Sequence, residues 1–242
     1  MRKIFGDTDP GLMRTANQDG FACAVLSDNL LFGVLCDGMG GENGGGVASE
    51  LAVRMAANML RRDLRPDMGE VSLRLVLSSV IAGANTIIYE QAQKDAELSG
   101  MGTTMILAVL LNNTLYVAYV GDSRVYIVSP EESRQLTHDH TIVQMLVDMG
   151  EITEEDAKSH PKRHFITRAV GVSPSVEPDF LVETLSEGEI VLLCSDGLYN
   201  YMDAGIPYRL MQDCGTADSA QPLITLANSN GGSDNITAVL II

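Results

Sequence analysis

The feature that most constrains this chain is how its apolar runs are joined. Runs 22–26 and 30–36 are separated only by Ser27-Asp28-Asn29, and runs 103–111 and 114–120 only by Asn112-Asn113. Connections that short close antiparallel hairpins, whereas a parallel pair needs a crossover of a dozen residues or more. Asn tolerates positive φ, so Asn29 and Asn112-Asn113 read as turn residues. Further strands are expected at 124–128, 189–194 and 235–242. Segment 47–62 carries Leu51, Met55, Met59 and Leu60 on one face, and 71–97 a longer stripe running from Leu73 to Ile88, so both read as amphipathic helices. Shorter helices are expected at 141–149, ending at Gly150, at 153–158, and in a segment that ends near 223–228. The first 21 residues read as polar and turn-rich, and the glycine-rich stretch 38–46 as a loop. Stretch 151–171 is polar and without a long period, which predicts a surface insertion. The predicted fold class is therefore α+β, with mainly antiparallel sheets and helices layered on them.

The chain has 242 residues, 45% of them hydrophobic, and no linker or repeat divides it. One domain spanning 1–242 with a substantial core is expected. Sixteen basic residues against 32 acidic give a net charge of −16. That balance argues against nucleic acid and against an anionic membrane, both of which need clustered Lys and Arg. The longest wholly apolar run, 105–111, is far short of the ~20 residues of a membrane span. Gly6-Asp7-Thr8-Asp9 interrupts any signal-peptide core. Cys23, Cys36, Cys194 and Cys214 form no C-x-x-C pair, and three of them sit in apolar runs, so reduced core thiols and a cytoplasmic location are expected.

The chemistry lies where the apolar runs stop. Run 31–36 stops at Asp37-Gly38, run 190–194 at Ser195-Asp196-Gly197 and run 116–120 at Gly121-Asp122, while Asp234 precedes the last strand. A single Asp-Gly is most simply a turn dipeptide. As a set, carboxylates gathered at strand ends repel one another unless a cation joins them. An all-oxygen donor set suits Mg²⁺ or Mn²⁺ rather than zinc. In Arg14-Thr15-Ala16-Asn17-Gln18-Asp19, Arg14 has the bidentate fork that suits phosphate, and equally suits a surface ion pair. His138 and His140 flank Asp139 at a spacing that reads as helix capping or loop structure before metal binding.

These residues resemble the metal-dependent protein phosphatases of the protein phosphatase 2C type (PPM), in their small bacterial form. The matching blocks are Asp9 to Arg14 with Asn17-Gln18-Asp19, Asp37-Gly38-Met39-Gly40-Gly41, Gly102-Thr103-Thr104 and Val120-Gly121-Asp122-Ser123-Arg124. They continue with Leu136-Thr137-His138-Asp139-His140, Thr167-Arg168-Ala169-Val170-Gly171, Ser195-Asp196-Gly197-Leu198 and Ser233-Asp234-Asn235-Ile236-Thr237. The ordered set covers nearly the whole chain.

The resemblance implies a four-layer αββα sandwich with a metal centre in a cleft at one end and a flap at about 151–170. It implies Mn²⁺ or Mg²⁺ as cofactor, two ions and a third, weaker one. Carried over by position, Asp37 bridges two ions and Gly38 gives its carbonyl to one of them. Asp196 and Asp234 hold the other, and Asp19 binds or orders the water shell on the Gly38 side. Asp122 shares the third ion with Asp196, Arg14 grips the substrate phosphate, and Asn235 fixes the loop of Asp234. The implied reaction is hydrolysis of phosphoserine and phosphothreonine in proteins by direct attack of a metal-bridging hydroxide, with Asp37 and Arg14 as its catalytic residues. The implied partners are phosphorylated proteins, substrates of a bacterial Ser/Thr kinase, and a monomer is the default. Two positions depart from the pattern. Met39 stands where many eukaryotic relatives have a histidine, and Gln18 where some have a glutamate.

Other readings fit less well. Asp7-Thr8-Asp9 could suggest a haloacid-dehalogenase-type phosphatase, but that needs an alternating parallel sheet. The glycine stretch could suggest a dinucleotide site, but G-x-G-x-x-G fails at Asn43. A binding module on the same fold, an inactive pseudophosphatase, would be expected to lose metal aspartates, and all are present here.

Overall fold

A computed structural model describes residues 2–202 and 206–242, with the side chains of Glu42 and Asn43 outside that description. The chain begins with β1 (Ile4–Asp9), β2 (Asp19–Ser27) and β3 (Leu30–Met39), followed by the long helices α1 (Gly41–Asp63) and α2 (Glu70–Lys94). After a 3-10 turn at Ala96–Leu98 come β4 (Gly102–Thr103), β5 (Met105–Leu111), β6 (Thr114–Val120), β7 (Arg124–Val128) and β8 (Ser133–Gln135). Two short helices, α3 (Ile142–Asp148) and α4 (Glu154–Ser159), precede β9 (Asp179–Thr184) and β10 (Ile190–Cys194). The chain closes with α5 (Asp196–Tyr199), α6 (Tyr208–Ala217), α7 (Gln221–Ser229) and β11 (Ile236–Ile241).

One sheet has the order β1-β11-β10-β7-β8 and the other β2-β3-β5-β6-β9, with β4 added to the end of β3. All pairings are antiparallel. The sheets pack face to face through Leu35, Ile106, Val117, Leu193 and Val239. The outer face of the second sheet, with Phe32, Val34, Leu107 and Val109, meets α1 and α2 through Leu60, Leu77 and Ile81. The outer face of the first, with Leu192 and Leu240, meets α6 and α7 through Met211, Leu223 and Ile224. Four layers, αββα, result. Central strands are thus buried on both faces, which is why β5 is apolar at all seven positions instead of alternating. Each of its larger side chains contributes about 1.5–3 kcal/mol by leaving water.

Several elements differ from the expectations. The first 21 residues contain a strand: β1 pairs with β11 from Ile4↔Ile241 to Asp9↔Ile236. Its polar positions have tertiary uses, as when the Asp7 carboxylate accepts bonds from Ser219 Oγ and the Ala220 N–H. The glycine stretch is not a loop up to 46, because α1 starts at Gly41. Gly38 and Gly45 touch back to back: a Cβ on Gly38 would lie 2.1 Å from the Gly45 carbonyl oxygen. Close approach to β3 therefore requires glycines that are poor helix formers. β9, unpredicted, is a half-buried edge strand. Asn112 has the expected positive φ of 55°, whereas Asn29 does not share it; Asn29 instead bonds Ser27 and Asn112 through its side chain.

α2 is long and apolar enough to span a membrane by composition, with mean hydropathy 1.6 over its best window. Its buried stripe, Leu73, Leu77, Val80, Ile81, Ala84 and Ile88, packs instead into the core beneath β3 and β5. Cys36, Cys194 and Cys214 are buried free thiols, and Cys23 is half-buried. In stretch 151–170, α4 has no buried residue and is held by its own capping box between Thr153 and Asp156. The stretch is tied down by bridges Thr141↔Ile166 and Thr103↔Val170.

Candidate active site

The sheet ends bring the predicted aspartates to one end of the sandwich. Asp19 opens β2 and is directly opposite Asp37 in the β2–β3 ladder. Opposed residues of an antiparallel pair point to the same face, so the two carboxylates are neighbours by register alone. Asp37 lies within β3 rather than at its end, because β4 extends the pairing to Gly38↔Thr103 and Met39↔Gly102. Asp122 sits in the tight connection from β6 to β7, Asp196 begins α5, and Asp234 lies just before β11.

Asp37 is fixed through its backbone. Its N–H donates to Thr104 Oγ1 at 2.9 Å, and its carbonyl accepts from the Thr104 N–H at 2.8 Å and Thr103 Oγ1 at 2.9 Å. The Asp19 Oδ2 atom accepts from Ser195 Oγ and Thr237 Oγ1, both at 2.7 Å, while its buried Oδ1 has no hydrogen-bond partner among the described residues. Asn235 is a strut: its amide donates to the Pro10 and Ala16 carbonyls and its Oδ1 accepts from the Gln18 N–H. This joins the loop of Asp234 to the segment that carries Arg14 and Asp19. Arg14 itself, 55% exposed, donates through Nη2 to Asp234 Oδ2 at 2.8 Å.

Above these residues opens a cleft of about 1530 Å³, lined among others by Arg14, Asp37, Gly38, Asp122, Asp196 and Asp234. Asp19 lies behind Asp37 and borders a smaller cavity of about 360 Å³ between β2 and α1. The carboxylates are electrostatically strained. Burial, with repulsion from Asp19, Asp196, Asp122 and Asp234, holds the Asp37 carboxyl well above the usual range. Burial and then Asp122, Asp234 and Asp19 push Asp196 to about 8. Asp19 rises to about 6, through burial offset by the bonds from Ser195 and Thr237. Asp122 also rises to about 6, through burial and repulsion by Asp139. Buried carboxylates that raise one another's pKa form a site that favours cations.

Among the described residues, no three His, Cys, Asp or Glu side chains close into a ready-made ligand cage. Asp234 is turned to Arg14 and Asp19 to the two hydroxyls. The donor set nevertheless fits a hard cation: it is oxygen throughout, and it includes the orphaned Asp19 Oδ1.

His138 and His140 serve the loop before α3, one of the two roles expected, and do not act as helix caps. Thr141, not a histidine, caps α3. His140 is buried and stacked on Tyr119, its Nδ1 accepting the Gly121 N–H at 3.0 Å. Its Nε2 lies 3.4 Å from Asp179 without a hydrogen bond. His138 pairs with Asp148 on the cleft wall. The sequence reading assigned no role to Ser195, Thr237, Thr103 and Thr104, which hold Asp19 and Asp37. Two of them, Ser195 and Thr237, sit beside a singled-out aspartate or in its block, but only the fold brings Thr103 and Thr104 onto Asp37.

Comparison with known proteins agrees with this architecture. The family model "Protein phosphatase 2C" matches residues 14–240. The Serine/threonine phosphatase stp of Listeria monocytogenes is 37% identical over 235 residues, covering 97% of this chain and 93% of that protein. The solved serine/threonine phosphatase of S. agalactiae superposes with a TM-score of 0.90 at 35% identity, covering 100% of this chain and 99% of the other. The catalytic domain of the serine threonine protein phosphatase PstP, solved in complex with two manganese ions, gives a TM-score of 0.83 at 34% identity, covering 99% and 97%. The chain belongs to the protein phosphatase 2C family, among the bacterial protein serine/threonine phosphatases of the PPM type.

Proposed function

We propose that the chain is a catalytically active, metal-dependent phosphatase acting on phosphoserine and phosphothreonine in proteins, products of a bacterial Ser/Thr kinase. Its cofactor is Mn²⁺ or Mg²⁺, held by Asp37, the Gly38 carbonyl, Asp19, Asp196 and Asp234, with Asp122 and Asp196 sharing a third, weaker site. One observation carries the reading: Asp37, Asp122 and Asp196 line a single cleft, Asp19 backs it, and burial and mutual repulsion raise all four carboxyl pKa values. The PstP relative solved with two manganese ions supports the choice of cofactor.

When bound, the cations supply an acidified water for direct attack on phosphorus and neutralise charge that develops there. The protein's own part is positioning. Thr103 and Thr104 anchor the Asp37 backbone, which sets where its carboxylate enters the cleft. Arg14 is assigned the substrate phosphate: its guanidinium is on the rim, and among the described residues it is engaged through Nη2. Met39 has no proton to give, which leaves protonation of the leaving oxygen to water or to another group. Nothing in this scheme needs a nucleophilic side chain, in keeping with the buried Cys36 and Cys194, whose thiols burial raises far above neutrality.

The test is phosphate release from a phosphothreonine peptide with Mn²⁺ and again after chelation. Release that disappears with chelator is expected. No release under either condition would favour a binding module on the same fold.

A further inference from the structure

Two residues of the matching blocks have no part in the scheme above: Arg124, two positions after Asp122, and Asp139, between the two histidines. Asp139 is a buried carboxylate on the cleft wall, yet it is not free to bind a cation. Arg124 grips it with both edges of one fork, Nε at 3.0–3.1 Å from the two carboxylate oxygens and Nη2 at 2.7 Å from Oδ2. Gln135 Nε2 adds a bond to Asp139 Oδ1 at 3.0 Å. The remaining guanidinium nitrogen, Nη1, donates to the Tyr126 hydroxyl at 3.1 Å. The face of the guanidinium lies on the Tyr199 ring, its central carbon 3.7 Å from the ring centroid.

The fork, the remaining nitrogen and one face of the guanidinium are therefore engaged, and they lead to the Asp139 loop, to Tyr126 in its own strand and to α5. Arg124 is in β7, opposite Cys194 at the end of β10. Asp139 belongs to the loop before α3. Tyr199 is the last residue of the four-residue helix α5, whose first residue is Asp196. So short a helix has little stability of its own. Its N-cap Ser195 makes no capping bond, because the Ser195 hydroxyl is given to Asp19. Stacking on Arg124 fixes the far end of that single turn. Lysine cannot replace this residue, since a point ammonium supplies neither the planar fork nor the stacking face.

We infer that Arg124 is a positioning residue: clamped by Asp139 and stacked on Tyr199, it fixes α5 and thereby holds Asp196 in its cation-binding position. The inference rests on the metal-dependent reading above. Residues behind metal ligands typically govern affinity about 10–100-fold.

The test uses the full chain and Mn²⁺ itself, with free Mn²⁺ followed by electron paramagnetic resonance during an equilibrium titration and folding checked by thermal melting. Arg124→Lys and Tyr199→Leu should each weaken Mn²⁺ binding about tenfold. Tyr199→Phe, which keeps the ring face, should stay within about twofold of wild type. If Arg124→Lys fails to fold, the Tyr199 pair carries the comparison. Folded Tyr199→Leu or Arg124→Lys protein that melts lower but binds Mn²⁺ like wild type would overturn the inference, leaving only a structural role. Asp196→Asn separates the two levels: wild-type Mn²⁺ binding by that variant would overturn the metal assignment itself, and this inference with it.

Discussion

The floor of the cleft and the insertion beside it are built on opposite principles. On the floor, Asp19 is buried and Asp37 half-buried; the two are paired by strand register and held by Thr103, Thr104, Ser195 and Thr237. Behind them Gly38 and Gly45 leave no room for a methyl group. In stretch 151–170, α4 buries nothing, its capping box is internal, and Phe165 is 57% exposed. A residue of the floor answers to several neighbours at once, so its chemistry and its packing cannot be changed separately. The insertion is attached at its roots, through Thr141, Ile166, Thr103 and Val170, and its tip is free to vary. Hydrolysis should therefore depend on the floor and the choice of protein substrate on the tip.

The sharpest way to break that contrast is Asp37→Asn, which keeps the shape and removes one negative charge. It should lower Mn²⁺-dependent phosphate release roughly a thousandfold, as loss of a central electrostatic group does, measured as kcat/KM on a phosphothreonine peptide. Next is Gly38→Ala. Its Cβ would fall 2.1 Å from the Gly45 carbonyl oxygen, so β3 and α1 must part. Overpacking of this kind costs about 1–3 kcal/mol, to be read from chemical denaturation.

Replacing residues 153–163 with a short Gly-Ser linker tests the other side. Activity on a phosphoprotein should fall about tenfold while hydrolysis of a small aryl phosphate stays within about twofold, a difference of roughly 1.4 kcal/mol in transition-state binding. Equal losses on both substrates would put the insertion in the chemistry.

A smaller effect concerns pH. Asp19 and Asp122 are raised from 3.8 to about 6 and Asp196 from 3.8 to about 8. The metal-free folded state thus holds protons that the unfolded chain has released, and it is favoured at low pH. That contribution is complete below about 4 and is lost as pH rises through 6 and then 8. The chelated protein should melt several degrees lower at pH 8 than at pH 5, and Mn²⁺ should flatten the slope. A chelated protein more stable at pH 8 than at pH 5 would contradict this electrostatic account of the floor.

The contrast also explains what could be read from the residues alone. Asp37, Asp122, Asp196 and Asp234 stand out because each follows an apolar run or precedes one, a pattern visible along the chain. The central hairpins were equally legible, since β3, β5 and β6 are buried on both faces and have short turns. Among the edge strands β2 was legible, but β1 and β9 were not: β1 ends in Asp7, Thr8 and Asp9 with little apolar signal, and β9 is half-buried along most of its length. Nor were the glycines of α1, whose local preference for a loop is overridden by the close contact with Gly38. The clamp of Arg124, Asp139 and Tyr199 joins three segments distant in sequence, and no local spacing announces it.

The most direct test of the central claim is a single comparison of phosphate release from a phosphothreonine peptide by the wild-type protein and Asp37→Asn, each with Mn²⁺ and after chelation. Release by the wild type that needs Mn²⁺, and its near abolition in Asp37→Asn, is the predicted result. Equal release by both proteins, or release that persists in chelator, would contradict the account.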